Sequence, residues 1–404
     1  GTLNLAGTVT VNDDVTLTTG TFNGGTGTID INGALTINGG TFTATSGTTF
    51  ISGNFTISAG TFNHNSGLIT LDGGAMTVNI GTAVLNQVTI NKSGTMTVSG
   101  DMQVNGNLTF TAATNINVGD ILVAGDVTTN DVQVQGSAGL YFIGSGNQTL
   151  SAPGVSGAVP SVFIIKPSGT LFLQGTIEVD GSQGWRYTSG TVNAGTSTIV
   201  FDYWSKTISS VGMSFNHVRI SLSADTVNLT INDTMDINGD LTMISVNNIN
   251  IGTGLGTIAV AGNVTTSDVG VGGTALMTLD GTGAQSINTG GTGDLPDGTF
   301  TINKASGTAT LVSHFTLNGA GQDLTITQGT LDLNGFNLSV PDVLTVAASG
   351  TLQLEGGETT VSYSTLTLNS GSTVLYDGGG SYTGLKMGNT YSNLTFNNAA
   401  GTWN

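Results

Sequence analysis

Twenty residues separate Gly20-Thr21-Phe22 from Gly40-Thr41-Phe42, and twenty more lead to Gly60-Thr61-Phe62. The register holds between these anchors: Gly27, Gly47 and Gly67 align, as do Gly33, Gly53 and Gly73. Apolar positions fall into columns in the same way. Val11, Ile31, Ile51 and Leu71 form one; Val15, Leu35 and Phe55 a second; Leu17, Ile37 and Ile57 a third. Inside each unit the alternation has period two, as in Thr28-Ile29-Asp30-Ile31, which marks strands with one buried and one wet face. A unit this short cannot bury its own apolar side, but stacking the next unit on it in parallel buries every column at once. The pattern therefore predicts an all-β, parallel β-solenoid of about 20 residues per coil, with three short strands per coil and Gly or Asn at the corners. A β-sandwich would want antiparallel hairpins and gives no reason for a fixed column register. Coils ~4.8 Å apart, roughly twenty of them, would make a rod on the order of 100 Å long.

A longer-range unit overlies this repeat. Leu71-Asp72-Gly73-Gly74 precedes Val88-Thr89-Ile90-Asn91-Lys92-Ser93-Gly94-Thr95, and Leu279-Asp280-Gly281 precedes Phe300-Thr301-Ile302-Asn303-Lys304-Ala305-Ser306-Gly307-Thr308. A weaker copy ends in Ile165-Lys166-Pro167-Ser168-Gly169-Thr170. The uneven spacing of these copies predicts inserted loops or coils, with loops near 152–161 and 288–298. No linker-like change of composition divides the chain, so residues 1–404 read as one continuous solenoid. Both termini begin or stop inside a strand motif, which reads as a segment of a longer polypeptide.

Composition narrows the functional classes. The chain has 63 Gly, 5 Pro and no Cys, and 8% of its residues are charged, against roughly a quarter in ordinary globular proteins. Its wet strand faces are built from Thr, Asn and Ser instead. No apolar run approaches the ~20 residues of a membrane helix. The formal charge of −18 argues against nucleic acid or an anionic membrane as partner. Without Cys there is neither a disulfide framework nor a thiolate metal site.

Parallel β-helices include polysaccharide lyases and hydrolases, so the carboxylates and cations are the candidates for catalysis. A hydrolase needs two carboxylates across a groove, and Asp13 with Asp14, or Asp233, Asp236 and Asp240, are the candidates. A lyase needs a cation beside a base. Lys92, Lys166 and Lys304 occupy one place in the long repeat and read as part of its architecture; Arg186, Lys206, Arg219 and Lys386 give little for a convergent cleft. His64, His217 and His314 lack metal-ligand spacing. Gly24-Gly25-Thr26-Gly27-Thr28-Ile29-Asp30 is superficially like the glycine-rich nonapeptide of Ca²⁺-binding β-rolls, but its Asp is one residue late and the motif does not recur in tandem. Thr-x-Thr pairs (Thr8 with Thr10, Thr26 with Thr28, Thr41 with Thr43) raise ice binding, yet Thr is simply a good outward strand residue. No catalytic, cofactor or metal site is expected, with Ca²⁺ the one ion considered. The remaining candidate is a ligand patch. Trp185, Tyr187, Tyr203 and Trp204 lie about one coil apart, and aromatic faces stack on sugar rings.

The repeat style, with Gly20-Thr21-Phe22-Asn23, Asp72-Gly73-Gly74 and the segment 88–95, resembles large repetitive bacterial surface proteins, in particular the parallel β-helix stalks of filamentous-haemagglutinin-like and autotransporter adhesins. The resemblance spans essentially the whole chain and rests on repeat style. It implies right-handed coiling, an extracellular or cell-surface location, and a role as spacer, adhesin or matrix fibre. The expectation is a non-enzymatic structural protein forming a rigid rod or fibre; the alternatives are a carbohydrate-binding adhesin and a polysaccharide lyase or hydrolase. The expected partners are further copies or further repeats joined end to end, with surface glycans the other class considered.

Overall fold

A computed structural model describes residues 1–112, 115–131, 133–221, 227–244, 249–252, 256–267 and 270–403. The chain is all-β, with parallel strands stacked as a β-solenoid of about 18 turns and about 21 residues per coil. It divides into two compact units, Gly1–Val200 and Phe201–Asn404, which are taken in turn.

In the first unit the expected columns are the observed ladder. Val11 pairs with Ile31, Ile31 with Ile51, Ile51 with Leu71, Leu71 with Ile90 and Ile90 with Phe110, every pair parallel. From Ile31 to Phe110 these side chains are fully buried. Each such side chain contributes about 1.5–3 kcal/mol over leaving it in water. The Gly-Thr-Phe anchors stack as well: the Phe22 and Phe42 rings are 4.5 Å apart and those of Phe42 and Phe62 6.0 Å. The three segments expected per coil appear as two strands where one bends round a corner. Leu35–Thr43 pairs with Phe55–Asn63 through Leu35↔Phe55 and again through Phe42↔Phe62, with register shifts between Ile37 and Thr41.

The coils then lengthen. Partners are 20 residues apart at Ile31↔Ile51 and 23 apart at Val127↔Leu150. The segment 152–161 lies largely within the strand Gln148–Val159. Its pairing shifts register between Ala152 and Gly157, so the added residues bulge outward, and Val155 at the crest is 98% exposed. A bulge accommodates extra residues without breaking the ladder on either side.

The second unit repeats the design at the longer pitch. Val218 pairs with Leu241 and Leu241 with Val264, each 23 residues on. Phe300↔Leu324 spans 24 and Leu324↔Leu344 spans 20. Segment 289–299 runs between the strands Gln285–Asn288 and Phe300–Leu311 without strand structure. The uneven spacing seen in the sequence is thus a change in coil length, taken up at corners and bulges.

Candidate functional site

The polar chemistry of the chain is concentrated at the corners. At several corners a side-chain acceptor takes a backbone N–H of the next coil, at or near the start of the strand stacked on it. Asp14 Oδ1 accepts from Ala34 N at 2.7 Å, Asn107 Oδ1 from Asp126 N at 2.9 Å, and Asp126 Oδ1 from Thr149 N at 2.7 Å. In the second unit one such column runs through His217 Nδ1, Asp240 and Asn263. They accept in turn from Asp240 N at 2.9 Å, Asn263 N at 2.7 Å and Ser286 N at 2.8 Å. His314 Nδ1 accepts from Asn337 N at 3.1 Å, and Asn337 Oδ1 from both Thr359 N and Thr360 N at 2.9 Å. These bonds satisfy amides that a bend in the strand would otherwise leave unpaired. With His217 Nδ1 accepting from the Asp240 amide, its 3.6 Å approach to Asp240 Oδ2 is a proximity and not a hydrogen bond. Asp233 does similar work, its two oxygens accepting from Ser210 N at 2.9 and 3.1 Å.

Other corners are clamped by buried lysines. Lys166 Nζ donates to Gly144 O at 2.7 Å, Gly146 O at 2.9 Å and Gln148 Oε1 at 2.7 Å. Gln148 Nε2 in turn donates to Val123 O at 3.1 Å and Gly125 O at 2.6 Å on the preceding coil. The second unit has the same device. Lys304 Nζ donates to Gly281 O, Gly283 O and Gln285 Oε1, and Gln285 Nε2 to Val260 O and Gly262 O. Lys92 makes a simpler version, donating to Asp72 O at 2.7 Å. Burial lowers all three ammonium groups from the usual lysine value, and the carboxylates of Asp72 and Asp280 oppose this at Lys92 and Lys304. The three equivalent lysines expected to be architectural are thus corner clamps. The sequence reading missed their glutamine partners. The signal was present in Gly144-Ser145-Gly146-Asn147-Gln148 and Gly281-Thr282-Gly283-Ala284-Gln285, each 18 or 19 residues before its lysine.

One groove, about 520 Å³, lies on the outer face of the second unit. An outward column runs Ser214, Asp236, Ala259, Thr278, and the small Ala259 leaves a notch. Val211, Met213, Thr234 and Asp280 complete its walls. Ser214 Oγ donates to Asp236 Oδ2 at 2.5 Å. Burial and then the facing Asp236 charge raise the Asp280 carboxyl above the usual aspartate range, with Lys304 countering. Of the aspartates 233, 236 and 240, only Asp236 faces this groove; the other two hold corners. Asp280's raised folded value means its stabilising contribution is complete below the ordinary aspartate value and is lost as pH rises through the raised one. Asp280→Asn, which keeps the neutral shape, is therefore expected to raise the thermal midpoint at pH 7 by up to about 3 °C. The advantage should disappear near pH ~4, where the wild-type carboxyl is itself neutral. An unchanged or lower midpoint at pH 7 would count against repulsion between the two carboxylates.

The four aromatic candidates fall in different units. In the first, Trp185 stacks in an inner column below Val162 and is 0% exposed, so its indole has no face to offer a ligand. Tyr187 is half-buried and its hydroxyl donates to Gly190 O at 2.7 Å. In the second, Tyr203 is half-buried with φ 61°, and Trp204 is 50% exposed. Asp30, of the glycine-rich motif, sits on the strand Ile29–Ile31 in a column between Thr10 and Phe50. Among the described residues no group of three or more His, Asp or Glu is placed to hold a metal ion. The Thr-x-Thr pairs do not form matched double rows: Thr10 is followed in its column by Asp30, and Thr43 is flanked by Asn23 and Asn63.

Fold and corner chemistry together define a repetitive parallel β-solenoid protein. No known family, curated protein or solved structure matches the chain.

Proposed function

We propose that this chain is an extracellular structural protein of the cell surface, whose useful property is a rigid stack of coils serving as stalk, matrix element or filament subunit. The observation that carries this reading is where the reactive side chains are spent. Asp14, Asp233, Asp240, His217, His314, Lys166 and Lys304, which would supply acids, bases or cations to an enzyme, each bond to backbone groups at corners. The bacterial adhesin-stalk resemblance of the repeat style supports the same reading, as does a surface kept soluble by a charge of −18. End-to-end association with a second copy, or continuation into further coils, belongs to the proposal.

Electron microscopy of the purified chain should show rods or fibres, with fibre diffraction giving the ~4.8 Å strand repeat along their axis. Compact globules would overturn the proposal. The carbohydrate-binding alternative is supported by one residue, the exposed Trp204. If it is right, a glycan array should light up with the wild type and fall silent with Trp204→Ala.

A further inference from the structure

The corner acceptors of the second unit are not all alike in acid. Asn oxygens accept at any pH and a carboxylate accepts until it protonates, but an imidazole Nδ1 becomes a donor when it takes a proton, which imidazoles generally do between about pH 8 and 5. Asp240 N donates to His217 Nδ1 and Asn337 N to His314 Nδ1, at 2.9 and 3.1 Å. We propose that these two histidine rungs are a built-in pH latch: protonation turns each Nδ1 against the amide it was holding and loosens the corner between its coil and the next.

The surroundings give each rung its own response. Facing His217 is the Asp240 carboxylate, whose Oδ2 stands 3.6 Å from Nδ1. It offers the protonated ring a new acceptor, so the ring exchanges the backbone amide for the carboxylate. Arg219 lies two residues along the strand His217–Ser221, where its charge is shared with Asp202. Among the described contacts of His314 there is no carboxylate. Its ring meets the edge of Phe336 at 5.7 Å, and the strand stacked on that corner, Leu338–Ser339, carries no charge. On the preceding coil Thr289 Oγ1 donates to His314 O, leaving the ring untouched. Protonation at His314, which is exposed to water, therefore leaves two donors opposed at the amide. A corner opened in this way frees strand amides for water or for an added strand.

The test is peptide-resolved hydrogen exchange on the intact chain at pH 7.5 and 5.5, corrected for intrinsic rates. Protection of the Asp240 and Asn337 amides should fall about tenfold on acidification, the scale of one ordinary hydrogen bond lost. The Asp126, Ser286 and Thr359 amides, held at corners by asparagine oxygens, are the internal controls and should not move. His217→Asn and His314→Asn put at these corners the side chain that already works at Asn107 and Asn263, and should hold both amides equally at the two pH values. Equal protection in the wild type at both pH values overturns the proposal. So does a fall that persists in the Asn variants, since it would assign the effect to a carboxylate.

Discussion

Lys166→Met should destabilise the first unit by about 3 kcal/mol or more, a large part of the 5–15 kcal/mol typical of a whole domain. Methionine matches the length and apolar stem of lysine, so packing is nearly kept. What is lost is the ammonium, and with it the donor to Gly144 O, Gly146 O and Gln148 Oε1. At least two of these bonds are buried, so water cannot replace the lost donor freely. An acceptor stranded in that way costs about 1–3 kcal/mol. The double variant Lys166→Met/Gln148→Leu separates this cost from a general loss of fit. Removing Gln148 relieves one stranded acceptor but takes the Nε2 donor from Gly125 O on the preceding coil and the Oε1 acceptor from Gly144 N, while Val123 O keeps its bond from Ile143 N. The double variant is therefore expected to be less stable than the single one. A double variant as stable as the single would mean that the glutamine binds the lysine alone and does not tie one coil to another. Urea unfolding, with slope and midpoint fitted together, reads both variants.

The clamps also show what could be read without coordinates. The columns Val11 to Leu71 were visible because aliphatic residues at a twenty-residue spacing have one economical arrangement, and the ladder follows it rung by rung. Lys92, Lys166 and Lys304 were visible as equivalent positions in the long repeat. Their direction was not. A lysine is ordinarily a solvated residue, and nothing in Ile165-Lys166-Pro167 tells that this one turns inward; that depends on the carbonyls of Gly144 and Gly146, some twenty residues earlier. The same holds for Trp185. Its neighbours Arg186 and Tyr187 suggested an outward aromatic patch, whereas period-two alternation from the buried Val162 column places the indole inside. The histidines and Asp240 were unreadable for a related reason: their partner is a backbone amide one coil away, and a main-chain group leaves no mark in the sequence. The lengthening of coils from 20 to 23 residues was legible only as irregular spacing, because an added residue at a corner and an added coil disturb a repeat in similar ways.

Gly27→Ala/Gly47→Ala/Gly67→Ala is expected to abolish ordered stacking of the first four coils, with a loss of about 5 kcal/mol if each methyl costs the usual 1–3 for overpacking. These glycines are not at corners that need a left-handed backbone; none has a positive φ. They are glycine because the preceding coil's backbone passes too close. A Cβ on Gly27 would lie 2.0 Å from Gly7 O, one on Gly47 2.5 Å from Gly27 O, and one on Gly67 2.0 Å from Thr45 O. No rotamer relieves such overlaps, since both atoms belong to the main chain. The rungs must move apart, yet their spacing is set by the hydrogen bonds of the flanking strands Ile29–Ile31, Thr48–Ile51 and Leu68–Gly73. Strain therefore spreads into the ladder instead of being absorbed locally. Gly100→Asn is the contrasting control. Gly100 has φ 87° and open space where a Cβ would go, and asparagine tolerates a left-handed backbone better than other side chains, so its cost should stay near ~1 kcal/mol. Circular dichroism and urea unfolding of the two variants distinguish the causes. If the triple alanine variant unfolds near the Gly100→Asn midpoint, close approach of backbones is not what keeps this column glycine.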